Sequence, residues 1–421
     1  MGIYARMIKP NAVLLAAASM IGLLGGCGES ADGPRFAAKD VHAEQVKSDN
    51  SFALRMAQPL LEEAAVSKRN VAFSPLSVSF ALSMLLNGAK GETREELLAL
   101  LGAKGITEES LHAGNEVLLD LLQHADPAVE VRIADAIWTK KGVRLQSEFK
   151  KKLQTFYAAE VHAIDFSKPA AAQTINRWVS KQTGGHIDQM VNSSDLANAE
   201  MVLMNAIYFN GTWQLPFEAS GTSTQPFHLT EDTMVNVPMM RQRDKFAHLT
   251  TAEYKAVRLP YGSGQWGMIV VLPEPGVTLQ RAEETFLSDP SPWQDGFDEG
   301  VSDTLLQLPK FTFKTSKKLR EVLEGLGMKI SFDPSAADFS GMTDNGSKGL
   351  FVSDVLQKAF ISVDELGTKA AAATKIDVTG SSAPPPEAFE FIADRPFFFA
   401  IEDRTTGTLA FLGAVANPGA G

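Results

Sequence analysis

The chain has 421 residues, 44% of them apolar and 21% charged, proportions that fill a sizeable globular core at a length that fits one large domain or two modest ones. Its formal net charge is −11. A surface that acidic argues against nucleic acid, heparin-like polyanions and anionic membrane surfaces as partners.

Arg6 and Lys9 form a short basic region ahead of an apolar stretch from Val13 to Leu24, the layout of an export signal. The stretch is shorter than the roughly 20 apolar residues of a membrane-spanning helix. It ends in Leu24-Gly25-Gly26-Cys27, which resembles the bacterial lipobox. Residues 1–26 therefore read as a lipoprotein signal peptide and Cys27 as the lipidated residue. Cys27 is the single cysteine of the sequence, so no disulfide accounts for it, and a lipobox cysteine carries the several acyl chains that stable anchoring takes. The expectation is an exported protein, lipid-anchored to a bacterial membrane or cell surface, with its domain in the periplasm or extracellular space. Residues 27–49 are polar and small and read as a flexible tether, leaving 50–421 as one domain.

Within that domain, Phe52, Leu54, Met56, Leu60 and Leu61 are spaced as on a helix covering Ser51 to Ala65. Val78, Phe80, Ala81, Met84 and Leu85 predict a second helix that Gly88 ends. Thr93 to Glu96 read as a capping box. Val131 to Trp138 predicts a strand, and Ile175 to Lys181 a helix closed by Gly184-Gly185. Further strands are expected at Met201–Phe209, Ala256–Leu259, Trp266–Leu272, Leu305–Phe313, Phe397–Ile401 and Leu409–Ala416. Helices and strands mix without regular alternation, which predicts an α+β fold.

Catalytic and cofactor signatures are missing. The seven histidines include no His-Glu-x-x-His pair, the cysteine count rules out a cysteine zinc site, and no Gly-x-Ser-x-Gly elbow occurs. The stretch Gly341 to Lys348 carries Ser and Lys in the wrong order for a phosphate loop. No cofactor, metal or catalytic residue is expected.

Five segments resemble signatures of the serpin (serine protease inhibitor) family. They are Asn70 to Ser77, Asn176 to Val179 with Thr183 to Ile187, Asn205 to Trp213, Leu308 to Phe311, and Arg395 to Phe399 with Gly413 to Pro418. The resemblance implies a large central mixed β-sheet, further sheets, about eight or nine helices and an exposed reactive-centre loop, here about residues 366–395. It implies that Ser74, Ser77 and Asn205 meet beneath the centre of the main sheet, where they help control its opening. Trp213 would stand near the top of that sheet, and Lys310 would pair with Glu365. The family usually has histidine where this chain has Gln357. An amide still donates and accepts, so the cluster is expected to survive without a group that titrates near neutrality.

Glu365-Leu366-Gly367-Thr368 followed by Lys369, Ala370, Ala371, Ala372, Ala373 and Thr374 resembles the hinge of inhibitory serpins. With period two, Thr368, Ala370, Ala372, Thr374, Ile376 and Val378 share one small-to-apolar face, while Lys369, Lys375 and Asp377 lie on the other. That is the pattern of a half-buried strand. Four consecutive alanines nevertheless have poor strand propensity, which suits a segment that is an exposed loop first. Family spacing from the hinge glutamate puts the reactive bond at Ser381-Ser382, and the proline run from Pro384 keeps it between Val378 and Ala383. Small residues there favour elastase-like or subtilisin-like serine proteases as partners of a monomeric inhibitor.

Overall fold

The computed structural model describes residues 33–420 apart from 125, 299–302 and 368–387. Cys27, Ser381, Ser382 and the hinge from Thr368 to Val378 lie outside the described residues. Numbered along the chain, the helices begin with α1 (Ala43–Ser67), α2 (Pro75–Leu86), α3 (Gly91–Leu100), α4 (Glu108–His124) and α5 (Ser147–Tyr157). They continue with α6 (Ala170–Gln182), α7 (Leu279–Ser288), α8 (Ser291–Asp295) and α9 (Arg320–Gly325).

The strands form three sheets. A six-stranded sheet contains β1 (Val71–Phe73), β7 (Ala247–Thr250), β8 (Tyr254–Tyr261), β9 (Trp266–Pro273), β14 (Phe397–Asp403) and β15 (Thr408–Val415), in the order β1-β15-β14-β9-β8-β7. A four-stranded sheet orders β13 (Phe389–Ile392), β10 (Asp303–Pro309), β6 (Thr233–Lys245) and β5 (Ser223–Thr230) as named. The third sheet contains β2 (Val129–Lys140), β3 (Glu160–Ile164), β4 (Met201–Gly211), β11 (Phe311–Lys318) and β12 (Val352–Val363), ordered β11-β12-β4-β2-β3. The mixture is α+β, as the irregular alternation of elements predicts.

The apolar runs explain the layering. In β14, Phe397, Phe398 and Phe399 are all buried because both faces of the strand are covered. Phe311 on β11 lies 6.0 and 5.9 Å from Phe397 and Phe399, while Phe286 on α7 lies 4.8 Å from Phe398 on the other side. Every residue of α2 is buried, as expected of a helix that is apolar all round. Its start is set by Ser74, whose Oγ accepts from the Ser77 amide at 3.2 Å, and by Pro75 at the first helical position.

The five-stranded sheet has a seam at its middle, between β12 and β4. β12 and β4 run parallel, with Gln357 opposite Asn205 and Phe360 opposite Tyr208, whereas β12 is antiparallel to β11 and β4 antiparallel to β2.

Four expectations are corrected. The tether assigned to 27–49 ends earlier, because α1 begins at Ala43 and not Ser51. Its first turns bury polar residues: Gln45 donates to Asn115, and Asp49 accepts from Ser79 Oγ at 2.7 Å. A buried face made of hydrogen-bonded polar groups has no apolar stripe to read. Further upstream, the Arg35 amide and Nε donate to Asp120 at 2.6 and 3.1 Å, so the folded unit begins well before residue 50.

Thr93 and Glu96 do not cap their own helix. Thr93 Oγ1 accepts from the Asp338 amide at 2.9 Å. Glu96 accepts from the amides of Lys329, Ile330 and Ser331 at 2.6 to 2.9 Å, and so caps the short turn Ile330–Phe332 from across the molecule. The stretch Leu305–Phe313 is two strands in different sheets, β10 and β11, parted at Lys310. Finally, the loop expected over 366–395 is shorter. Phe389–Ile392 pairs with β10, burying Phe391 and stacking Phe389 on His248 at 4.1 Å, and Leu366 and Gly367 are paired as described below.

Candidate functional site

Two clusters lie along the β4–β12 seam, one beneath its centre and one at its top.

The central cluster joins α2 to three strands. The Gln357 amide on β12 donates from Nε2 to Asn205 Oδ1 at 2.7 Å, to the Ser74 carbonyl at 2.8 Å and to Ser77 Oγ at 3.2 Å. Its Oε1 accepts from the Ser74 amide at 3.1 Å. Ser77 Oγ donates to Asn205 Oδ1 at 2.7 Å. All four side chains are buried, and a fully satisfied buried network is what such a position requires. The amide of Gln357 thus fills the place that the family usually gives to histidine.

The network does not stop at Asn205. Asn205 Nδ2 donates at 2.7 Å to Asp135 Oδ1, directly opposite on β2. Asp135 is only 4% exposed. Burial pushes its carboxyl up to about 7, against the pull of the Asn205 hydrogen bond. Position 357 itself carries an amide that does not titrate, and the titratable member of the network, Asp135, stands two strands away. Sequence reasoning missed Asp135, although the signal was present. Val131, Ile133, Asp135 and Ile137 share one strand face, and an acid in that apolar alternation marks a buried polar site.

At the top, Lys310 Nζ donates to Glu365 Oε2 at 2.7 Å, and Thr222 Oγ1 donates to Glu365 Oε1 at 2.8 Å. Burial opposes ionisation of Glu365, but these two donors more than offset it and hold the carboxyl below its ordinary value. The backbone of the same turn is tied down. The Phe217 amide donates to the Glu365 carbonyl at 2.8 Å and the Trp213 amide to the Leu366 carbonyl at 2.9 Å. Trp213 Nε1 donates to the Asp364 carbonyl at 3.0 Å, and the indole stacks on Tyr261 at 4.2 Å.

Gly367 closes this turn. It forms an antiparallel bridge to Asp364 on the β12 side and another to Thr212 on the β4 side. Its φ of +138° and a would-be Cβ only 2.0 Å from the Gly211 carbonyl oxygen both demand glycine. Chain leaving β12 is thus turned back and seated between β12 and β4 at its first residue.

The family model described as "Serpin (serine protease inhibitor)" matches residues 47–418. Serpin-ZXA of Oryza sativa subsp. japonica is 37% identical over 388 residues, covering 89% of this chain and 97% of that protein. Among solved structures, the thermophilic serpin tengpin in its native state is similar at a TM-score of 0.79 and 27% identity, over 91% of this chain and 96% of its own. Human thyroxine-binding globulin with bound thyroxine is similar at a TM-score of 0.80 and 28% identity, over 91% of this chain and all of its own.

Proposed function

The chain belongs to the serpin family, and from that premise we propose that it is an irreversible suicide inhibitor of serine-type endopeptidases. A protease attacks the loop and forms its acyl-enzyme. Before water resolves the ester, residues from Thr368 onward insert into the five-stranded sheet as a new strand between β12 and β4. About 14 residues at about 3.3 Å each carry the protease some 45 Å, far from where it first docked.

The observation that carries this reading is the double bridge of Gly367, which already lies between Asp364 and Thr212. A chain continuing from there runs antiparallel to both β12 and β4. It would replace one parallel interface with two antiparallel ones, the slightly more stable arrangement per residue. Each new ladder hydrogen bond contributes about 1 kcal/mol net, and Ile376 and Val378 on the inward face add apolar burial. The uncut form is then held kinetically rather than by equilibrium.

The reactive bond is placed at Ser381-Ser382, with elastase-like or subtilisin-like enzymes as targets. Incubation with a panel of serine proteases should give detergent-resistant complexes on a denaturing gel, and Thr368→Arg should turn the protein into a substrate. A loop that is cut without complex formation would identify a non-inhibitory binding protein instead.

We also read the protein as exported and anchored through Cys27. Seven residues, 28–34, separate Cys27 from Arg35, whose Nε donates to Asp120, and each residue spans at most about 3.5 Å. Cys27→Ser should release the protein from the membrane fraction; unchanged fractionation would remove the anchor from the reading.

A further inference from the structure

Beneath the β4–β12 seam the strands contribute side chains, because their backbone groups are taken up by neighbouring strands. Three of these side chains form a line across the sheet: Gln357 on β12, Asn205 on β4 and Asp135 on β2, with 2.7 Å between successive partners. Separating β12 from β4 breaks the first of these bonds. It uncovers Asn205 directly, and Asp135 lies one side chain deeper. Asp135 is therefore sealed from water when the seam is closed and hydrated when the seam is open.

We propose that opening of the β4–β12 seam releases a proton from Asp135, so that uptake of a strand into the sheet runs faster above neutral pH than below it. This rests on the insertion reading given above.

The direction follows from linkage. Closed, the carboxyl sits in a buried site that favours its neutral form near pH 7; opened, water stabilises the ionised form. The conformation that binds fewer protons gains as pH rises. The groups hydrogen-bonded in line with Asp135 are uncharged: Asn205 from β4, and through it Ser77 from α2 and Gln357 from β12. Titratable side chains on the surrounding elements are engaged elsewhere. Asp49 on α1 is bonded to Ser79, and His112 on α4 is bonded to Tyr157 on α5. Glu160 on β3 is paired with His162. On the opposite face of the sheet, His186 stacks over Tyr208 and Phe360.

The test needs no target protease. The intact protein is incubated with a synthetic peptide copying Thr368 to Gly380, and the rate of stable peptide incorporation is followed from about pH 5.5 to about pH 8.5 at constant ionic strength. The wild type should take up peptide about tenfold faster at the alkaline end. Asp135→Asn keeps an acceptor for Asn205 but no ionisable proton, and should flatten the profile; Asp49→Asn and His186→Gln should leave the rise in place. Asp135→Ser, a smaller acceptor, serves as the second variant should the first not fold. A rate independent of pH in the wild type, or the same rise in both Asp135 variants, overturns the inference while leaving the inhibitor reading intact. Absence of uptake at every pH overturns both.

Discussion

Tyr208 on β4 and Phe360 on β12 are register partners, and the His186 ring lies nearly parallel to both, 4.0 Å from the first and 5.7 Å from the second. The chain segment after α6 thus covers the seam on one face while the Gln357–Asn205 pair ties it on the other. Inserting a strand would move the two rings to about twice the 4.8 Å strand spacing, too far for one imidazole to cover both.

Loss of that contact should therefore ease opening. His186→Ala removes stacking worth about 1 kcal/mol, and peptide uptake should become several-fold faster with little change in the stability of the cleaved form. Unaltered uptake kinetics would show that the ring is not part of the barrier.

The Lys310–Glu365 pair makes a prediction at the top of the sheet. Glu365→Lys sets two cations side by side where Lys310 and Thr222 now both donate. The turn should loosen by about 1–2 kcal/mol, since the pair is only partly buried, and the native form should melt lower. Reversing the pair with Lys310→Glu in the same chain should recover most of the loss. A double variant no better than the single one would indicate that the turn depends on Thr222 and the backbone alone. Because Glu365 is held below its ordinary value, its contribution is present above the unfolded carboxylate range and disappears as pH falls through the folded value.

Why some of this was legible in the sequence and some was not is a matter of range. Ser74, Ser77 and Asn205 could be grouped because each sits in a motif of the family, Gln357 because it stands where the family usually has histidine, and β14 could be read because its buried run is continuous. Asp135 belongs to no such motif; only its misfit with Val131, Ile133 and Ile137 betrays it. The start of α1 is hard to see by hydropathy because, of the four residues it buries before Ser51, Gln45, Asp49 and Asn50 are polar and only Val46 is apolar. Thr93 and Glu96 show the opposite failure. Their spacing matches a local cap, yet their partners Asp338 and Lys329 to Ser331 are more than two hundred residues away. The β5–β6 hairpin is hidden from a hydropathy reading because half of β5 is exposed and most of its residues are polar, with little alternation to detect.

Gly367 gives a prediction that separates the hinge from the rest of the loop. In Gly367→Ala the methyl group would meet the Gly211 carbonyl oxygen at 2.0 Å, so one of the two bridges must break. The first step of insertion is then delayed while the loop's cleavage site is untouched. The variant should form fewer trapped complexes per molecule consumed, with more of it recovered as cleaved chain. Wild-type stoichiometry would show that the Gly367 bridges do not govern the first step of insertion.

Glu283, outside the seam network, predicts how the native form responds to pH. It sits on α7 facing α1, is 2% exposed, and neither carboxyl oxygen has a hydrogen-bond partner among the described residues. Burial, reinforced by the negative charges of Glu62 and Glu284, pushes it up to about 8. The unfolded chain ionises this group in the ordinary carboxylate range, so between there and about pH 8 the folded state binds more protons than the unfolded one. Stability should therefore fall as pH rises through that window. Glu283→Gln removes the ionisation and should raise stability near pH 8 by on the order of 1–3 kcal/mol, with a smaller gain near pH 5, where the wild-type group is already neutral. Unfolding rates of both proteins across that range would check it, and a gain equal at both ends would show that Glu283 stays ionised and finds water or a cation in the folded molecule.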